Sequence, residues 1–419
     1  MQNFKKIKKI GHPGGTRPIF CGYPLLGVVH IFICVMLSSC ASSQIKELDI
    51  QTSSGAVSNP SYRKPHNLIR VGLVINEQSA NIKAQGKFEM IDTDNGDVIA
   101  TGEDSLMQLM GSNAGIFIGN KNTMKNNLRI VSKNYIEVNG KRYRGKIFVK
   151  MNNNGKLTVI DELSMEEYLY GVVPLEISSR CSFEALRAQA IASRTYAYHQ
   201  KLKNKDMDYD LTSTIYSQVY GGVDKEKEVT NNAVDSTVGM VLVYKNEIIY
   251  AAFHSNCGGY TEDSKSVWNT ELPYLQSIKC GYCRDSPHYK WGCEIAPESI
   301  RIALRKSGYS VGRILDIKVL DLDRSGRISS LEIDHADGEL TISGAKFRMA
   351  IGPNIIKSAN FKVKTESDIS GTRFVFSGRG WGHGVGLCQD GASGMAESGY
   401  SYKRILEKYY PGTDLVKIK

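Results

Sequence analysis

From Leu68 onward the chain breaks into short apolar runs separated by polar and glycine-bearing stretches, the pattern of strands joined by turns. Leu68 to Ile75 reads as the first strand. Tyr143 to Lys150 and Lys156 to Ile160 flank Asn152-Asn-Asn-Gly155, residues that tolerate the positive φ of a tight turn, so a hairpin is predicted. Ser164-Met-Glu-Glu167 then has the Ser-x-x-Glu spacing of a capping box and predicts a short helix from Met165 to about Val172. After Ser182, the alanine-rich run Phe183 to Tyr198 predicts a second helix with high propensity and room for close packing. Val238 to Tyr244 and Glu247 to Phe253, joined at Lys245-Asn246, predict another hairpin. Strands dominate, so the expected class is α+β, a strand-rich mixed fold with the alanine-rich helix beside the site. Residues 68–415 are read as one domain, a strand-rich part (68–160) leading into a core (161–415).

The first 67 residues differ in texture. A basic start, Lys5 to Lys9, precedes the apolar stretch Pro24 to Leu37, 14 residues long. A comfortable bilayer span needs ~20 residues, so this reads as an export signal. It ends in Leu37-Ser38-Ser39-Cys40, which resembles a lipobox in which Cys40 is lipidated; the competing reading is a chance Cys in a small-residue cleavage site. Residues 1–40 are thus a lipoprotein signal and residues 41–67 a tether. The chain carries 53 Lys+Arg against 43 Asp+Glu, a net +10, and five of those basic residues lie in the leader without any acid. Half the net charge therefore belongs to the leader, which argues against nucleic acid as a partner. The implied location is outside the cytoplasm, membrane-anchored and facing the periplasm or cell wall.

Three groups of residues could carry chemistry. Glu176 lies in Gly171-Val-Val-Pro-Leu-Glu-Ile177, an apolar setting that favours the neutral acid and suits a general acid; the plain alternative is an exposed loop residue. Arg187 and Arg194, seven apart, fall on one face of the next helix, for substrate or for a salt bridge. In Ser377-Gly-Arg-Gly-Trp-Gly-His-Gly-Val-Gly-Leu-Cys-Gln389, glycine recurs at every second position from Gly378 to Gly386. If extended, one face is bare and the other shows Arg379, Trp381, His383 and Val385, suited either to a sugar polymer or to tight strand packing. Cys257, Cys280, Cys283 and Cys293 admit either disulfides or tetrahedral zinc, and Cys181 and Cys388 could pair with each other. Gly-x-Ser-x-Gly, His-Glu-x-x-His and phosphate-loop motifs are missing from the sequence.

Together, Tyr168-Leu-Tyr-Gly-Val-Val-Pro-Leu-Glu176, Glu184 to Tyr196, Ser217-Gln-Val-Tyr-Gly-Gly222, Phe253 to Glu262, Gly380 to Gly386 with Gln389, and Gly399 to Gly412 resemble the stage II sporulation protein D (SpoIID/LytB) family. The resemblance implies a peptidoglycan lytic transglycosylase acting on glycan strands stripped of stem peptides, with Glu176 as the catalytic acid. It implies substrate contacts from Arg194, His254, Tyr289, Trp381, His383 and Gln389. Some relatives hold zinc through His and Cys just before the Gln-Val-Tyr motif; Asp210 to Tyr216 contains neither, so no metal is expected there and no cofactor is assigned. The competing implication is a non-catalytic enhancer that binds glycan and a cell-wall amidase.

Overall fold

The computed structural model describes residues 67–369 and 371–418. The leader, Cys40 and the tether up to residue 66 lie outside the described residues. Leu68–Glu77 forms the predicted strand and pairs antiparallel with Leu157–Ser164, Leu68 opposite Ser164. These two sit in a seven-stranded sheet ordered 211–212, 68–77, 157–164, 146–151, 127–132, 87–92 and 98–103. A six-stranded sheet packs with it, and alternating burial along strands such as Ser79–Ala84 and Leu106–Ser112 gives each sheet one apolar face. The 152–155 turn is as the sequence predicts: Lys146–Met151 pairs with Leu157–Ser164 and Gly155 has φ +67°.

The described residues hold eight α-helices: α1 (Met165–Glu176), α2 (Phe183–Lys203), α3 (Glu228–Asp235), α4 (Ser264–Trp268), α5 (Pro297–Lys306), α6 (Gly344–Ile351), α7 (Gln389–Glu397) and α8 (Tyr402–Tyr409). The α+β expectation is met. Both halves of the capping box form: Ser164 Oγ accepts from the Glu167 backbone N–H and Glu167 Oε2 from that of Ser164. α1 runs four residues beyond the predicted Val172. Pro174 sits in its last turn, and only one internal hydrogen bond is forfeited there. Glu176 is consequently the last residue of a helix, not part of a loop.

α2 is buried from Ala185 to Tyr198 except at Arg187, and its alanines let α1, α3, α7 and α8 approach closely. No helix among the described residues is long and apolar enough to cross a membrane. In the second predicted hairpin, Lys245 and Asn246 both take positive φ, as a tight two-residue turn requires. Its return strand stops at Ile248, and Phe253–His254 pairs instead with Leu387–Cys388.

Two hydrophobic cores form. One joins the N-terminal sheets to α1, α2, α7 and α8, so burial is continuous across residue 160. The other is built within residues 291–376, from Trp291, Ile300, Leu304, Phe347, Phe361 and Phe376 among others.

Candidate functional site

Glu176 is half-buried at the C-terminal end of α1. Burial pushes its carboxyl up to about 7, against the pull of a hydrogen bond from the Val219 backbone N–H. The negative end of the α1 dipole lies at the same point and disfavours an anion further. Tyr168 and Tyr196 stand close enough to feel its charge. Tyr168 donates to Gln218 Oε1 at 3.2 Å, and Gln200 Nε2 donates to the Tyr196 hydroxyl at 2.9 Å.

From Tyr196 a line of rings leads outward. Its ring centroid is 5.5 Å from Tyr250 and 6.4 Å from Phe253. Tyr250 lies 5.4 Å from Trp268, and Trp268 lies 5.3 Å from His383. Tyr250, Phe253, Trp268 and His383 are all half-buried, so the track is flanked by solvent along part of its length. At its far end a cavity of about 740 Å³ opens between the two cores, lined by Trp268, His383, Glu262, Asp323, Arg327 and Arg348. Glu176 does not line that cavity; it lies near Tyr196, at the other end of the track.

The Gly-Trp-Gly-His segment is not extended, so the condition for a bare glycine face is not met. The strand Gly371–Arg379 ends before it, and Gly380, Gly382, Gly384 and Gly386 all have φ between +74° and +116°. Side chains rarely adopt that backbone, and a Cβ on Gly382 would meet the His254 Cβ at 2.7 Å. Alternate glycines thus let the loop fold tightly onto Phe253–His254, and its side chains do not share one face. Val385 is buried, while Trp381 and His383 stay half-buried, with the Lys357 ammonium 4.4 Å from the Trp381 ring centroid. His383 Nδ1 accepts from the Val385 N–H at 3.0 Å; burial, with Arg348 and Arg327 nearby, holds its pKa down to about 4, so the ring is neutral at pH 7. His254 is buried, 5.6 Å from His383, and donates from Nδ1 to the Val385 carbonyl at 3.1 Å.

Three residues assigned to substrate lie elsewhere. Arg194 is wholly buried: its guanidinium forms an ion pair with Glu166 at 2.6 Å and donates to the carbonyls of Val234 and Met240. Glu166 opens α1, ten positions and roughly 15 Å from Glu176 at a rise of 1.5 Å per residue. Arg194 is therefore a structural charge that ties α2 to α1, with no exposed surface of its own. Gln389 is buried and donates to Gln189 Oε1 at 3.3 Å, fastening α7 to α2. Tyr289 is buried as well, and its carbonyl accepts from Gly380 N–H, which supports the loop from behind.

Two further carboxyls are pushed up to about 7 by burial. Asp161 is fully enclosed and accepts from the Tyr220 hydroxyl at 3.0 Å, so it is closed to substrate. Glu262, on the cavity wall, accepts from Ser325 Oγ at 2.7 Å and lies 3.9 Å from Arg327. Glu262, Trp268 and Tyr250 carry no motif of their own in the sequence; they become site residues through contacts with Tyr196, Ser325, Arg327 and His383, the last of them more than 100 positions from Trp268. In the stretch before Gln218, Asp210 is buried and held by Arg70 at 2.6 Å.

Comparison with known proteins bears on this arrangement. Residues 153–244, which hold Glu176, α2 and Gln218, match a family model described as Stage II sporulation protein. Residues 269–386, covering the second core and the glycine loop, match a domain of unknown function, DUF8618. The chain is 30% identical over 353 residues to an uncharacterized protein of Brachyspira hyodysenteriae, covering 84% of this chain and 93% of that one. It is 30% identical to the amidase enhancer of Bacillus subtilis over 71% of its own length, and spans about half of that protein (48%). It is 32% identical over 282 residues to stage II sporulation protein D of Bacillus amyloliquefaciens, covering 61% of this chain and 75% of that one. With that identity over three quarters of the sporulation protein, and with Glu176 inside the matched segment, the chain belongs to the stage II sporulation protein D family.

Proposed function

We propose that this protein is a peptidoglycan lytic transglycosylase that cleaves the bond between N-acetylmuramic acid and N-acetylglucosamine in peptide-stripped strands. Family membership and the amidase-enhancer relative support a role at the cell wall. The observation that carries the finer reading is Glu176, a half-buried carboxyl raised to about 7 at the head of a track of half-buried aromatic rings. A carboxyl in that range still holds a proton near neutral pH and loses it readily, as a general acid that must then act as base requires. It would give its proton to the bridging oxygen as the bond to muramic C1 breaks. The resulting carboxylate would take the proton of the muramic C6 hydroxyl as that oxygen bonds to C1 and closes a 1,6-anhydro ring. An ordinary glycosidase uses a second carboxylate as nucleophile or water base. Here the internal hydroxyl fills that part, and the enclosed Asp161 is not needed. Rings such as Tyr250 and Trp268 suit the apolar faces of sugars, with His383 at the far end.

The export signal ending at Cys40 would bring the chain to this substrate and anchor it in a membrane through lipid. A second reading, enhancement of a cell-wall amidase, is favoured by the amidase-enhancer relative. The test is incubation of the purified protein with peptide-free glycan strands, followed by mass spectrometry for anhydro-muramic ends. The expected result is accumulation of such ends with wild type and their loss with Glu176→Gln. Intact strands in both cases, with strand binding and a stimulated amidase, would establish the enhancer instead.

A further inference from the structure

We propose that Cys257, Cys280, Cys283 and Cys388 bind one zinc ion in a closed tetrahedral site that staples the glycine loop to the rest of the core. The four Sγ atoms lie within 4.8 Å of one another and all four residues are buried. Cys257 Sγ and Cys283 Sγ are 3.5 Å apart. A zinc–sulfur bond of about 2.3 Å in a tetrahedron sets sulfur–sulfur spacings of about 3.8 Å, so small movements suffice. Cys293, placed in the group by sequence spacing, is not part of it: it lies on Lys290–Ile295 opposite Phe376 and packs on the second core. Cys388, 105 positions beyond Cys283, takes the fourth corner.

The surroundings suit thiolates. The Cys257 N–H points at Cys388 Sγ at 3.2 Å, the Gly391 N–H does so at 3.3 Å, and the Tyr409 hydroxyl is 3.1 Å from Cys280 Sγ. Cys388 is the N-cap of α7, where the positive end of a helix dipole favours an anionic sulfur. Binding releases four protons from four thiols and leaves a cluster of net charge 2−, which these donors and the helix terminus offset. Space is reserved for sulfur as well: a Cβ on Gly391 would collide with the Tyr409 hydroxyl and come within 2.6 Å of Cys280 Sγ. Disulfides would join the sulfurs in pairs at about 2.05 Å and leave the N–H groups aimed at poor acceptors.

The four ligands come from separate segments. Cys257 follows Phe253–His254, Cys280 and Cys283 lie on the connection after α4, and Cys388 ends the strand that follows the glycine loop. One ion would hold His254 and Val385 in register from behind, as a structural element of the site.

The full chain, purified without reductant or chelator, is expected to carry one zinc per chain by elemental analysis. Exchange with cobalt should give the intense red-region absorption of tetrahedral thiolate cobalt. Cys388→Ser should lose the metal, and Cys293→Ser should keep it. If Cys388→Ser does not fold, the zinc content and cobalt spectrum of the wild type still decide. Zinc below about a tenth of an equivalent, disulfides mapped among these four cysteines, or iron in place of zinc would overturn the proposal. None of these readouts depends on strand cleavage.

Discussion

Replacing Glu176 with glutamine removes a carboxyl whose ordinary value, 4.5, is raised by burial to about 7. An acid with a raised pKa in the folded state binds its proton more tightly there than when unfolded. Below about pH 4.5 both states are protonated and the site costs nothing. As pH rises toward 7 the unfolded chain ionises freely while the folded one is held back, so stability falls, and above 7 the full penalty is present. The displacement from 4.5 to about 7 corresponds to roughly 3 kcal/mol. Glutamine never carries the charge, so the variant should match wild type near pH 4 and exceed it by about 3 kcal/mol near pH 8. For a folded part of roughly 350 residues at about 2.1 cal/mol/K each, that is a rise in Tm of roughly 4 °C. Paired thermal or urea unfolding of the two proteins across pH measures it, and the difference between them cancels the other raised carboxyls, Asp161 and Glu262. A stability difference that does not change with pH would refute the desolvated carboxyl, and with it the proton source for cleavage. If cleavage uses that proton, wild-type turnover should also fall about tenfold per pH unit above 7, and the variant should lose at least about 100-fold.

Arg194→Met should lower stability by about 3–5 kcal/mol, because Glu166 then keeps a mostly buried charge without its partner. Adding Glu166→Gln should recover part of that loss; no recovery in a double-mutant cycle would show that the pair is not the reason Arg194 is retained. Trp268→Ala, in the middle of the aromatic track, should raise KM for glycan strands several-fold and leave the pH profile of turnover in place. A moved pH profile would mean that Trp268 acts on Glu176 rather than on the sugar. Cys388→Ser should lower Tm together with zinc content, whereas Cys293→Ser should leave zinc content unchanged, read by calorimetry beside elemental analysis.

What the sequence determined by itself was local. The asparagine–glycine turn at 152–155, the capping box at Ser164, the helix after Ser182 and the positive-φ pair Lys245-Asn246 each follow from interactions within a few residues. Glu176 was legible for the same reason, since its apolar neighbours lie beside it in the chain. The tertiary structure decided whatever depended on closure over long separations. It carried α1 through Pro174 to Glu176, drew Arg194 into the interior against Glu166, and assembled one aromatic track from Tyr196, Tyr250, Trp268 and His383. It also chose Cys388 over Cys293 for the sulfur cluster, though Cys293 is far nearer in sequence. Spacing along a chain constrains partners only where a helix or turn fixes the geometry between them; beyond that, burial of the two cores decides which side chains meet.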